Sequence, residues 1–324
     1  MNVLLWHVHG AWTTAFVHGK HRYLVPVTRD RGPDGRGRAR TYTWPDSVEE
    51  LPPDRLATAD VDVVVLQRPH EWDLASRLLR RRVGRDLPAV YVEHNTPREG
   101  VPDTRHPVAD RDGVRLVHVT HFNALFWDAR ATPTDVIEHG VFPPAASYTG
   151  ELDRLGVVTN EPVRRWRVTG TDLMPRFAAV APLDVYGMGV TGLPDRLGLP
   201  PGRIAAHEDL PQPAMHTHLC RRRAYLHLCR WTSLGLSLLE AMAAGMPVVA
   251  LATTEVVDAV PPEAGVLSTR VETLTGAAAW LRDDPDAARG LGARARRVAR
   301  DRYGVDRFLA DWDRLLEEVA CASR

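Results

Sequence analysis

The sequence predicts an α/β protein made of two doubly wound parallel-sheet domains facing a central cleft. Short apolar runs alternate with helical patterns along the chain, which is the sign of strands and helices layered in a parallel sheet. The alternation breaks at the proline-bearing stretch 142–147 and then restarts. The third observation is the segment 225–267, which reads as strand, helix, strand.

In the first half, strands are expected at 3–8, 23–27, 61–66, 89–92 and 116–119, with a shorter one at 136–137. Helical patterns lie at 71–82 and 122–129. Between Val8 and Tyr23 there is hardly room for a long first helix. The Gly- and Arg-rich stretch 29–40 reads as a mobile basic loop. The second half places strands at 155–158, 183–186, 225–228, 248–251 and 265–267, with helices at 170–180, 215–223 and 274–283. These patterns divide the chain into domains at 1–145 and 146–302, followed by a C-terminal segment at 303–324.

The segment 225–267 carries the chemistry. A helix is expected at 236–244, with Gly245 as its C′ residue and Pro247 forbidding continuation. Residues 248–251 are wholly apolar, as in a strand buried on both faces. Gly235 stands at the mouth of the helix, where free N–H groups and the helix dipole favour an anion. Glu240 lies one turn further in. A carboxylate there is a poor phosphate ligand and a good acceptor for sugar hydroxyls. Together they point to a nucleotide sugar, with its diphosphate on the helix and its ribose on Glu240.

Bulk properties exclude several classes. Forty-one Lys and Arg balance 41 Asp and Glu, so no global charge favours nucleic acid. Lys20 is the only lysine. Three cysteines without a metal-type spacing fit reduced thiols in a cytoplasm of bacterial type. No run approaches the roughly 18 apolar residues of a membrane span, which leaves at most peripheral membrane contact.

The run Leu234-Gly235-Leu236, Glu240-Ala241-Met242-Ala243, Gly245 and Pro247-Val248-Val249 closely resembles the donor-binding signature of retaining GT-B glycosyltransferases of family 4. The resemblance implies a GT-B fold, two Rossmann-like domains facing a central cleft, and a C-terminal helix that crosses back to the first domain. It also implies Thr232, Ser233, Gly235, Leu236 and Glu240 as donor-binding residues. Thr232 stands where the family usually has a first glutamate, and Ser233 replaces a common glycine. Residues 170–173 resemble the family's K-G-x-D-L helix start, but Thr169 replaces the lysine. The diphosphate charge then falls to Arg164, with Arg165 or Arg167 supplying a second cation.

In the first half the resemblance picks out His94, at the end of an expected strand, as the histidine that orients the donor sugar. The segment 137–141 resembles the family's N-G-V-D run, with His139 in place of asparagine. Gly10 and Ala11 occupy the position of the loop that touches the reaction centre. Two decoys remain. Residues 187–192 spell G-x-G-x-x-G, with Glu208 at the ribose-binding distance of a dinucleotide site. Yet the prolines and glycine of 194–201 leave no helix of useful length, so an NAD-dependent oxidoreductase is a distant alternative. The D-x-D runs at 60–62 and 311–313 open a strand and lie in a helix, so no metal is expected.

The expected function is transfer of a sugar from a nucleotide-diphosphate donor to an unknown acceptor, with retention and without a cofactor. The alternatives are a catalytically weak nucleotide-sugar-binding protein and a GT-B epimerase or phosphorylase.

Overall fold

The computed structural model describes residues 1–322, which form two compact units. One is Met1–Gly140 together with the chain from Val305 onward; the other is Val141–Gly304.

The first unit runs β1 (Asn2–Leu5), α1 (Gly10–Phe16), β2 (Arg22–Pro26), β3 (Val48–Leu51), α2 (Pro53–Leu56), β4 (Val63–Leu66), α3 (Glu71–Leu79), β5 (Ala89–Glu93), β6 (Val114–His118), α4 (His121–Phe126) and β7 (Thr134–Val136). Its sheet has the order β3-β2-β1-β4-β5-β6-β7, with every pairing parallel. The central strands are buried on both faces, and so they read as unbroken apolar runs. Strand β3, sequence VEEL, shows no such run because it lies at the sheet edge, where charge is tolerated. Its Glu50 corrects the reading of 29–40 as a free loop. Arg31 makes two hydrogen bonds to Glu50, at 2.9 and 3.2 Å, and the Arg38 amide donates to it at 2.8 Å. The loop is tied to the strand.

The second unit runs β8 (Leu152–Val158), α5 (Pro162–Arg165), a 3-10 turn (Thr171–Leu173), α6 (Met174–Ala178), β9 (Leu183–Gly187), α7 (Leu193–Leu197), β10 (Ile204–Glu208), α8 (Gln212–Leu219), β11 (Arg222–His227), α9 (Leu236–Ala244), β12 (Val248–Leu251), α10 (Val256–Ala259), β13 (Gly265–Ser268), α11 (Val271–Asp283) and α12 (Pro285–Tyr303). Its sheet, β10-β9-β8-β11-β12-β13, is also parallel throughout. The expected helix at 215–223 ends early, at Leu219. Arg222 and Arg223 are instead buried strand residues. Arg222 reaches Asp184 at 2.8 Å, and Arg223 pairs with Asp153. Ion pairing thus lets β11 begin on residues that read as exposed helix. The helix expected at 170–180 is divided between the 3-10 turn and α6.

Each sheet places its first strand in the interior, with chain crossovers leaving in both directions. This is the Rossmann-like order, with a topological switch point between β1 and β4 and another between β8 and β11. Among the described residues no helix is long and apolar enough to cross a membrane.

The last helix, α13 (Val305–Cys321), buries Phe308, Trp312, Leu315 and Leu316. Trp312, 1% exposed, meets the Trp12 ring edge-on at 5.7 Å and the Phe16 ring at 5.0 Å, both on α1. Trp312→Ala is expected to cost about 3–5 kcal/mol, the range for deleting a large buried aromatic. Urea unfolding measures it; a loss below about 1 kcal/mol would mean that α1 closes over the gap.

Candidate functional site

In the second unit the switch point lies beside the start of α9. Gly235 is its N-cap, with extended backbone and no side-chain cap, so the first helical N–H groups keep no capping side chain. A Cβ at Gly235 would come within 3.1 Å of His227 Cε1. His227, from the end of β11, therefore fills the space under the helix mouth. Its ring is buried, which lowers its pKa to about 4, and its Nε2 has no partner among the described residues. Leu236 opens the helix, and Ser233 is buried in the loop before it, next to half-buried Thr232.

Glu240, one turn into α9, is not a free carboxylate. It is 8% exposed and sits in the second turn of α9. Gln212 Nε2 donates to its Oε1 at 2.8 Å, and His216 Nε2 donates to its Oε2 at 3.0 Å. Both donors belong to α8, so the carboxylate is oriented by a neighbouring helix. Each carboxylate oxygen has a second lone pair, which leaves capacity for a ligand hydroxyl.

The arginines of the 160–167 loop separate cleanly. Arg164 is exposed and donates to Glu161 at 2.7 Å. Arg167 and Arg230 both pair with Asp172. Arg165 is half-buried, and its guanidinium has no carboxylate partner among the described residues. Its charge is felt at Cys229, just past β11. Burial pushes that thiol up to about 11, and Arg165 pulls it back only in part. Arg165 is thus the arginine of this loop left available for an anion. Thr169 is buried, bonded to the Thr171 hydroxyl at 2.8 Å and donating to the Trp166 carbonyl at 3.1 Å. It locks the loop where the resembling family carries a lysine.

The G-x-G-x-x-G turn is already filled. Glu208 accepts from the amides of Gly189, Val190 and Thr191 at 2.6, 2.8 and 3.0 Å, and from the Thr191 hydroxyl at 2.8 Å. These bonds, the Gly189 amide first, hold its carboxyl below the usual range. A side-chain carboxylate occupies the nest a pyrophosphate would need, and α7 after it has five residues.

In the first unit, His9, His94, Gln67 and His139 gather past the carboxyl ends of the strands. The rings of His9 and His94 lie 4.0 Å apart, and Trp12 meets His94 edge-on at 4.9 Å. Gly10 opens α1, where a Cβ would approach Tyr42 to 3.2 Å, and half-buried Ala11 follows it. Burial lowers the pKa of His9 to about 4 and of His139 to about 3; His94 falls well below 6.5, with the neighbouring His9 and His139 adding to the effect.

Gln67, Gln212, His216 and His227 escaped the reading of the sequence. One signal was available: Gln67 and His227 flank the carboxyl ends of β4 and β11, the strands at the two switch points.

The buried histidines set an acid limit. His9, His118, His139 and His227 all have folded pKa values of about 3 to 4, against about 6.5 when unfolded. Between these values the unfolded chain binds more protons, so stability is full above about pH 6.5 and falls as pH drops. The expected slope is up to about 1.4 kcal/mol per pH unit for each histidine. Urea midpoints at pH 7.5, 6 and 5 measure it; a flat series would show that these rings are hydrated.

Residues 163–314, just under half of the chain, match the family model described as glycosyl transferase-like. No curated protein matches the sequence. Solved structures resemble it along its whole length. Sucrose-phosphate synthase from Thermosynechococcus elongatus aligns with a TM-score of 0.76 at 14% identity, covering 100% of both chains. Anabaena HepE in complex with UDP gives 0.71 at 15% identity, over 98% of this chain and 100% of that one. AviGT4, a glycosyltransferase involved in avilamycin A biosynthesis, gives 0.64 at 13% identity, over 99% and 98%. At such identities the likeness establishes the fold, which is GT-B.

Proposed function

We infer that this GT-B chain, whose residues 163–314 match a glycosyl transferase-like model, is a glycosyltransferase that moves a sugar from a nucleotide-diphosphate donor to an acceptor with retention of configuration. The observation that carries the reading is the second switch point. An uncapped helix start and a buried, oriented carboxylate follow β11, and an arginine without a carboxylate partner follows the neighbouring strand β8. HepE has been solved with UDP and with UDP-glucose, which makes uridine diphosphate sugars the first donors to try.

In this reading the α9 amides and Arg165 take the charge that develops on the leaving diphosphate, and Glu240 accepts from the ribose. Preorganised donors aimed at developing charge supply the largest catalytic effect in such reactions. The bond from the anomeric carbon to the phosphate oxygen breaks as a bond to the acceptor oxygen forms on the same face. The acceptor proton passes to the departing phosphate oxygen. This route uses no enzymic nucleophile and draws on no metal. His94 is proposed to contact the sugar, and Gly10 and Ala11 to border the reacting carbon.

Thr169 and Thr232 favour a second reading, a donor-binding protein of low turnover, because two charged positions of the resembling family are neutral here. Donor turnover in the presence of an acceptor panel separates the two.

Arg165→Ala is expected to weaken UDP by about 10- to 100-fold, equivalent to about 1.5–3 kcal/mol for a charge-assisted contact, and to leave uridine unchanged. Arg164→Ala, whose partner is Glu161, should change either ligand less than about twofold. Calorimetry distinguishes them, and an equal loss for uridine and UDP would remove Arg165 from the phosphate site.

His94→Ala is expected to lower turnover at saturating donor while UDP, which lacks the sugar, binds as before. An interaction made mainly as the sugar becomes cationic is felt in the rate. Unchanged turnover would remove His94 from the reaction.

A further inference from the structure

Gln67 follows β4 directly and is 4% exposed. Its Nε2 donates to the Trp6 carbonyl at 2.8 Å. A peptide carbonyl only accepts, so the amide nitrogen must face it, and Oε1 is turned toward His94. That oxygen lies 3.0 Å from His94 Nε2. An amide oxygen also only accepts, so His94 Nε2 carries the hydrogen. The glutamine is itself held in place: its backbone N–H donates to Glu71 Oε2 at 2.6 Å, and Glu71 is fully buried and paired with Arg68 at 2.6 Å.

With its hydrogen on Nε2, a neutral His94 presents a lone pair at Nδ1, and a protonated one presents an N–H. The groups packed on the ring are His9 and Trp12, His139 acts on it electrostatically, and no carboxylate pairs with it among the described residues. The charges that act on this set are Glu93, Arg68 and Arg36 at His9, and Arg307 at His139. Nothing in the cluster favours a cation on His94. Its Nδ1 also has no hydrogen-bond partner among the described residues, so the lone pair is open to a ligand.

We propose that Gln67 is a positioning residue that fixes His94 as the Nε2–H tautomer, so that the sugar subsite accepts a hydrogen bond from a hydroxyl and disfavours a carboxylate. The donor class is then a neutral hexose rather than a hexuronic acid, a refinement that rests on the reading of His94 as a sugar contact.

The tautomer is read without substrate, by long-range nitrogen–proton NMR on protein carrying nitrogen-15 histidine, with the His94 signals assigned by their loss in His94→Asn. Wild type is expected to show neutral His94 with its hydrogen on Nε2 from pH 6 to 8. Gln67→Leu should give mixed tautomers, and Gln67→Glu, which still accepts from Nε2, should restore the hydrogen there. Hydrogen on Nδ1 or a cationic ring in wild type overturns the proposal, as does an unchanged tautomer in Gln67→Leu. If Gln67→Leu does not fold, wild type and Gln67→Glu decide. In a second arm, turnover of UDP-glucose is compared with that of UDP-glucuronic acid. Wild type should favour the neutral sugar by about tenfold or more, the worth of one charge-assisted hydrogen bond. In Gln67→Glu, where a carboxylate draws the ring toward the cation, the ratio should fall. Equal use of both donors by wild type counts against the subsite. If neither donor binds, the uridine donor assignment fails, and the tautomer measurement still decides the role of Gln67.

Discussion

Parallel strands can be joined only by crossovers, and crossovers in one sheet turn the same way. When the first strand sits inside the sheet, as β1 and β8 do, the chain must leave it once in each direction. The two departures open a gap at the carboxyl ends that no connection covers. Loops and helix starts border that gap, and their N–H groups lack intrahelical partners. The positions of Gln67 and His9 in one unit, and of Arg165, His227 and Gly235 in the other, follow from this constraint.

What surrounds each gap is polar and largely buried, which carries an energetic cost. The two units meet it differently. In the second unit charge is paired, and so it is at the amino ends of the same sheet: buried Asp184 is raised by desolvation, but hydrogen bonds from Arg154, Arg222 and His207 outweigh it and hold the carboxyl down to about 2. Glu240 is matched by Gln212 and His216. In the first unit the chain uses groups that can give up charge. His9, His94 and His139 remain neutral by burial, so the cluster avoids desolvating cations while keeping ring nitrogens for hydrogen bonding.

Legibility followed burial. Strands such as β4 and β12, covered on both faces, stood out as apolar runs, and α9 was bounded to the residue by Gly235 and Gly245. Edge strands β3 and β10 were missed because half-exposed strands carry polar residues. The start of β11 was misread as helix, since a run of three arginines looks exposed until Asp153 and Asp184 are brought alongside. The loop at 29–40 was misread for a similar reason: its anchor, Glu50, lies more than ten residues away along the chain.

The sequence by itself determined the alternation of strand and helix, the glycine-bounded helix α9 and the run that resembles the donor signature, because these depend on neighbours a few residues apart. It also ruled against the dinucleotide site, through the prolines that leave no helix of useful length after residue 192. Only the tertiary structure decided which arginine of the 160–167 loop lacks a carboxylate partner, that Glu240 is oriented by α8, that Glu208 fills the G-x-G-x-x-G turn, and that His94 Nε2 faces the Gln67 amide oxygen. Each of those is a hydrogen bond or ion pair set by the exact placing of donor against acceptor. Most join elements distant in the chain, and even the local pair of Glu161 with Arg164 depends on the turn that brings them together. A pattern of residue types does not record such geometry; the fold supplies it.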